Sequence, residues 1–195
     1  MTKILFTVLV ATLFTSPSHA RVFEMEGMIQ DDFPSFSFKP SQPSNYDSSG
    51  GGLGYAFYAR VELGPGMVES GFLYAPVSFT TTESSSILTR FAGSYWTIPL
   101  LYRYNFWEPY FSIAAGVDYA IQGGTTIPTG TSNNYESHFG ALASLAAKQD
   151  IGEDLSIVLD LRYRVGLATG AVYQSTQMNV SWVSVAVGIE KHLEY

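Results

Sequence analysis

Between Asp154 and Val165 the chain changes character at every step: Leu155, Ile157, Leu159, Leu161, Tyr163 and Val165 hold one parity, and Ser156, Asp160, Arg162 and Arg164 hold the other. A helix would scatter those charges around its circumference, whereas a strand collects the apolar groups on one face and the charges on the opposite one. The C-terminus repeats the pattern. Val183, Val185, Val187, Ile189, Leu193 and Tyr195 alternate with Ser184, Ala186, Gly188, Glu190 and His192, and only Lys191 breaks the apolar series. Leu53 to Leu63 and Phe111 to Tyr119 alternate in the same way, and segments near residues 21–30, 67–82, 86–105 and 137–149 carry weaker versions. The total is eight strands, an even count that lets an antiparallel sheet close on itself.

The connections fall into two kinds. Gly64-Pro65-Gly66, Asn105 to Pro109, and Asp150 to Asp154 are short. Asp31 to Gly52, Thr80 to Ser86, Gln122 to Glu136, and Ala168 to Asn179 are longer and rich in Ser, Thr, Gly, Asn and Pro. Strict alternation of short and long connections is the mark of a membrane barrel, with short periplasmic turns and long outer loops. A soluble meander has no reason to sort its loops by end. The expected fold is therefore all-β: a closed antiparallel transmembrane β-barrel of about eight strands, with both termini periplasmic.

The first twenty residues carry Lys3, a mostly apolar run from Ile4 to Phe14, and Ser18-His19-Ala20, which predicts a secretory signal peptide cleaved after Ala20. Residues 21–195 then form one domain, the outer-membrane barrel of a Gram-negative envelope. The chain contains no cysteine, so neither a lipid anchor behind the signal nor a disulfide framework is available. Beyond the signal no apolar run approaches the length of a spanning helix. Charged residues are only 14% of the chain and aromatics 15%, against roughly 25% charged in ordinary soluble domains. That bias suits a wall facing lipid. The formal net charge of −7 argues against nucleic acid as a partner, since phosphate binding needs a basic patch.

Trp96-Thr97-Ile98-Pro99-Leu100-Leu101-Tyr102-Arg103-Tyr104, followed by Pro109-Tyr110-Phe111-Ser112-Ile113-Ala114-Ala115-Gly116, resembles two successive strands of small outer-membrane barrel domains of the protein A and X type, a porin-like family. Leu159-Asp160-Leu161-Arg162-Tyr163 and Val187-Gly188-Ile189 are similar to it as well. The resemblance implies a terminal strand ending on an aromatic residue that the barrel-assembly machinery reads. Tyr195 meets that and Lys191 departs from it. No periplasmic domain is expected after the barrel, so the resemblance does not imply a grip on peptidoglycan. Outer-membrane lipid and lipopolysaccharide are the expected surroundings of a monomer.

Charges with the inward parity are Arg60, Glu62, Arg103, Asp118, Asp160, Arg162, Arg164 and Glu190. An eight-stranded barrel has an interior just wide enough for side chains, and buried charge is costly unless paired. These residues are expected to form a salt-bridged core and to leave no wide channel. Tyr104, Phe106, Trp107, Tyr110 and Tyr195 gather at the short-turn end as an interfacial girdle. The long first loop, with Phe33, Phe36, Phe38 and Tyr46, is a candidate recognition surface.

Catalytic and metal chemistry find little support. His138 and His192 are the only histidines after the signal. Ser137 precedes His138 and so points to the other face of the strand, which leaves His138 as an interfacial polar residue. Two separated histidines without cysteine give no metal-ligand spacing. The Asp150 to Asp154 turn lacks the calcium-loop pattern, and Gly50-Gly51-Gly52 precedes a strand without the Lys-Ser or Lys-Thr of a phosphate loop. No catalytic residue, cofactor or metal is expected. The function so read is non-enzymatic, envelope-structural or surface-interacting. A small-solute pore, a barrel or soluble lipocalin-type calyx carrying a hydrophobic ligand, and a lipid-modifying enzyme are the competing readings. A soluble calyx would turn its apolar residues inward.

Overall fold

The computed structural model describes residues 22–39, 46–47, 52–83, 86–107, 110–126, 137–167, 171–173 and 176–194. The signal-peptide assignment and Tyr195 lie outside them. Ten strands follow in chain order: β1 (Val22–Lys39), β2 (Tyr46–Asp47), β3 (Leu53–Leu63), β4 (Gly66–Glu83), β5 (Ser86–Trp107), β6 (Phe111–Thr126), β7 (His138–Asp150), β8 (Leu155–Gly166), β9 (Ala171–Tyr173) and β10 (Thr176–Glu194). Eight of them build a wall in the order β1-β3-β4-β5-β6-β7-β8-β10, and β1 pairs with β10 to close it. Every neighbouring pair is antiparallel. The closing seam is long, from Val22 opposite Glu194 to Lys39 opposite Gln177. Closure removes the unpaired edges that an open sheet would leave.

The wall is apolar outside and polar inside. Leu159, Leu161 and Tyr163 of β8 are about half exposed on the outer face, while Asp160, Arg162 and Arg164 between them are buried. The eight segments read from the sequence are all strands, and the three short turns join β3 to β4, β5 to β6 and β7 to β8. The first is a two-residue turn. Leu63 pairs with Gly66, and Gly64 takes φ 64°. The tight hairpin that Pro65 permits needs a positive φ at its first central residue and a negative one at the second, which glycine followed by proline supplies.

At the opposite end the strands outrun the expected ones. β1 continues to Lys39, so Asp31 to Lys39 is ladder and not loop. β4 and β5 pair as far as Glu83 opposite Ser86, which reduces the Thr80 to Ser86 connection to a hairpin tip. β6 reaches Thr126, and β9 folds back on Thr176 to Met178. The reason is that backbone pairing needs no apolar alternation; Thr-rich stretches keep the ladder once a neighbouring strand supplies it.

Candidate functional site in the barrel lumen

Inward side chains fill the barrel in tiers, starting from the short-turn end. In the first tier Arg60 of β3 meets Glu26 of β1 and Glu190 of β10 in close ion pairs, with Glu24 at 3.5 Å and Glu69 of β4 at 2.7 Å. Lys148 of β7 lies 2.9 Å from Glu190, and His192 Nδ1 lies 3.0 Å from Glu24. Alternation alone brings these together: each takes the inward parity of its own strand near the same end.

The second tier centres on Glu69. Its carboxylate accepts from Arg60 and Arg103 at 2.7 and 2.8 Å and from Arg162 at 2.9 Å. Asp160 sits beside it, accepting from Arg162 at 2.8 Å and Arg103 at 3.2 Å and from the Ser144 hydroxyl at 2.7 Å. The Arg162 guanidinium also covers the Tyr58 ring at 4.0 Å. In the third tier Arg164 clasps Asp118 through two bonds of 2.6 and 2.8 Å and lies over the Trp182 ring at 4.3 Å. Such forked guanidinium–carboxylate geometry is the strong form of the contact. Gly140 makes room for it, since a Cβ there would come within 2.5 Å of Asp118 and 2.7 Å of Arg164. Trp182 stacks on Tyr95, and Val77, Val180 and Ala75 are buried around them. Beside this apolar tier, Gln30 and Ser184 both donate to Asp32.

Seven of the eight expected lumen residues are therefore buried inside: Arg60, Arg103, Asp118, Asp160, Arg162, Arg164 and Glu190. Glu62 is the correction. It keeps the inward parity but stands exposed at the end of β3, beside the Gly64-Pro65-Gly66 turn, where the barrel mouth opens to solvent. His138 is also corrected, from an interfacial residue to a buried one: its Nε2 is 3.2 Å from Arg164 Nη1 and its ring stands edge-on to Tyr95. Ser137 is exposed on the other face, as expected.

The sequence reading missed Glu24, Glu26, Glu69, Gln30, Asp32, Lys148 and Ser144 as lumen groups. It also missed that Glu24, Glu190 and His192 place possible metal-ligand atoms within 4.8 Å of one another. They converge only because β1 and β10 meet at the closing seam, which no local spacing reveals. Lys148, with its ammonium 2.9 Å from Glu190, already balances that negative charge.

On the outer surface Tyr104, Phe106, Trp107 and Tyr110 are exposed together at the short-turn end, with Phe111 packed against Phe106 and Trp107. A second aromatic cluster lies eight or more residues up the strands, where Tyr74 stacks on Tyr55 at 5.0 Å and meets Trp96 at 5.1 Å. An apolar band separates the two.

No family model and no curated protein matches the sequence. Solved structures do match in shape. The chain is similar to Neisserial surface protein A (10% identity, TM-score 0.52, covering 89% of this chain and 99% of that one). It is similar to the outer membrane protein OprG from Pseudomonas aeruginosa (12%, 0.56, 89% and 96%). It is similar also to the outer membrane protein AlkL, determined in DMPC lipid bilayers (14%, 0.51, 93% and 94%). The chain has the fold of the small eight-stranded outer-membrane barrels.

Proposed function

We propose that this chain is an integral outer-membrane barrel, with its short turns and both ends in the periplasm, that acts through its outer end and neither conducts solutes nor catalyses a reaction. The observation that carries this reading is the packing of the lumen. Four arginines, Arg60, Arg103, Arg162 and Arg164, cross the interior and are tied to carboxylates from β1, β4, β6, β8 and β10. Above them Trp182 and Tyr95 stack across the bore. Charges so paired fill the space that ions would need.

The wall supports the membrane part of the reading. Large apolar side chains are exposed on every long strand, in a band flanked by aromatic clusters, which is the surface that lipid rewards and water penalises. The strands that project past the upper aromatic cluster, β4 with β5 and β1 with β10, then carry the surface that meets the outside world. Envelope support or surface interaction is the role left to them. The competing pore reading would require the ionic tiers to open. Single-channel recording in planar bilayers decides between them: the purified, heat-modifiable protein should give no steady conductance, and large sustained openings would overturn the closed-lumen reading.

A further inference from the structure

A shallow apolar groove of about 670 Å³, more open than enclosed, lies on the outer wall at the closing seam, lined by Gly27 and Ile29 of β1, Val187 and Ile189 of β10, Ile157 of β8 and Ile151 of the β7–β8 turn. The cross-strand register lays its floor out in rows. Ile157, Ile189 and Gly27 form one, and Leu159, Val187 and Ile29 the next. Gly27 faces outward with nothing within 4 Å of where a Cβ would stand, so it leaves a slot between its cross-strand neighbours Ile189 of β10 and Phe57 of β3. Directly toward the short-turn end the next row is Leu155, Lys191 and Met25. Lys191 is exposed, and none of the ion pairs among the described residues involves it. The His192 amide bonds the Asp154 carbonyl at 2.9 Å, which puts Lys191 level with the rim of the barrel.

We propose that this groove is a site for a glycerophospholipid of the leaflet on the short-turn side, with one acyl chain in the Gly27 slot and the phosphate on Lys191. The proposal rests on the membrane reading above. Its chemistry follows from the two ends of the groove. An acyl chain fills an unbranched gap that a rigid side chain of a neighbour would have to match, and an ammonium at head-group depth attracts phosphate. A second copy of this chain is the poorer occupant. An isologous contact over the groove would set each Lys191 against the other at the same depth, a like-charge arrangement that costs affinity. The lone cation that interrupts the apolar series of β10 thus acquires a use.

Native mass spectrometry of the detergent-extracted protein tests the assignment, with phosphatidylglycerol and a diacylglycerol of the same chains as probes. The wild-type chain should retain one phosphatidylglycerol, about fivefold more tightly than the diacylglycerol, the size expected for one lysine on a phosphate. Lys191→Gln should bring the two probes level, and Gly27→Leu should abolish retention of both, with Gly27→Ala intermediate. Each variant points outward, and its folding is read from the gel shift between unheated and boiled samples. Equal retention of the two probes by the wild type, full retention by folded Gly27→Leu, or dimers in place of bound lipid would each overturn the site. A wild-type chain with no gel shift would instead strike the membrane reading itself.

Discussion

Glu69 is the residue on which the lumen's positive charge converges, since Arg60, Arg103 and Arg162 all donate to it. Removing one partner from a buried ionic network leaves the others uncompensated, at a cost of about 3–5 kcal/mol. Glu69→Gln is therefore expected to lower the unfolding free energy by that amount, measured by urea titration of the protein refolded into phospholipid vesicles. Glu62→Gln, at the exposed mouth, should stay within about 0.5 kcal/mol of wild type. The pair also shows what parity can and cannot reveal. Arg60, Asp160, Arg162 and Arg164 were legible because the opposite faces of their strands are uniformly apolar. Glu69 was not, because β4 puts Met67, Leu73 and Val77 inward beside it and Ser70 and Pro76 outward, so its two faces look alike in sequence. Glu62 has the right parity and the wrong height, and height along a tilted strand is not encoded in alternation.

At the scale of the strand, what decides length is pairing. Pro99 illustrates the rule from its exception. It lacks an N–H, the β4–β5 ladder skips from Ser70–Leu100 to Leu73–Thr97, and the Ser70 hydroxyl donates to the Pro99 carbonyl at 2.8 Å. The strand continues through the gap because β6 still pairs with it, Pro99 standing opposite Asp118. Strand identity was readable from the apolar period, but strand ends at the long-loop side were not, because the Ser- and Thr-rich rungs beyond the band carry no such period. The ionic tiers are built from other residues, Arg60, Glu69, Arg103, Arg162, Asp118 and Arg164 among them. Excising Thr81 to Thr89 and rejoining Thr80 to Arg90 through Asn-Gly should leave the gel shift intact and change the unfolding free energy by about 1 kcal/mol or less. Loss of the shift would mean that the projecting hairpin is needed for closure.

For the whole molecule, the decisive property is that its polarity is inverted relative to a soluble protein, and this is the part of the fold the sequence carried most plainly. A soluble calyx with the same strand count would bury Leu159 and expose Arg162; here Leu159 is 54% exposed and Arg162 1%. The inversion has a depth-dependent consequence. Leu159 lies midway along β8 between the outward-facing Leu155 and Tyr163, whereas Leu155 borders the short turn. Arginine on the lipid face costs about 2–4 kcal/mol at the bilayer midplane and about 0–1 near the interface. Leu159→Arg should accordingly destabilise the vesicle-embedded barrel by the larger amount and Leu155→Arg by the smaller, both read from urea unfolding followed by tryptophan fluorescence. In a water-filled setting neither exposed leucine would resist a charge, and the two variants would be equally benign. A graded penalty locates the hydrocarbon against this wall, and equal penalties would remove the membrane from the account of why these strands alternate as they do.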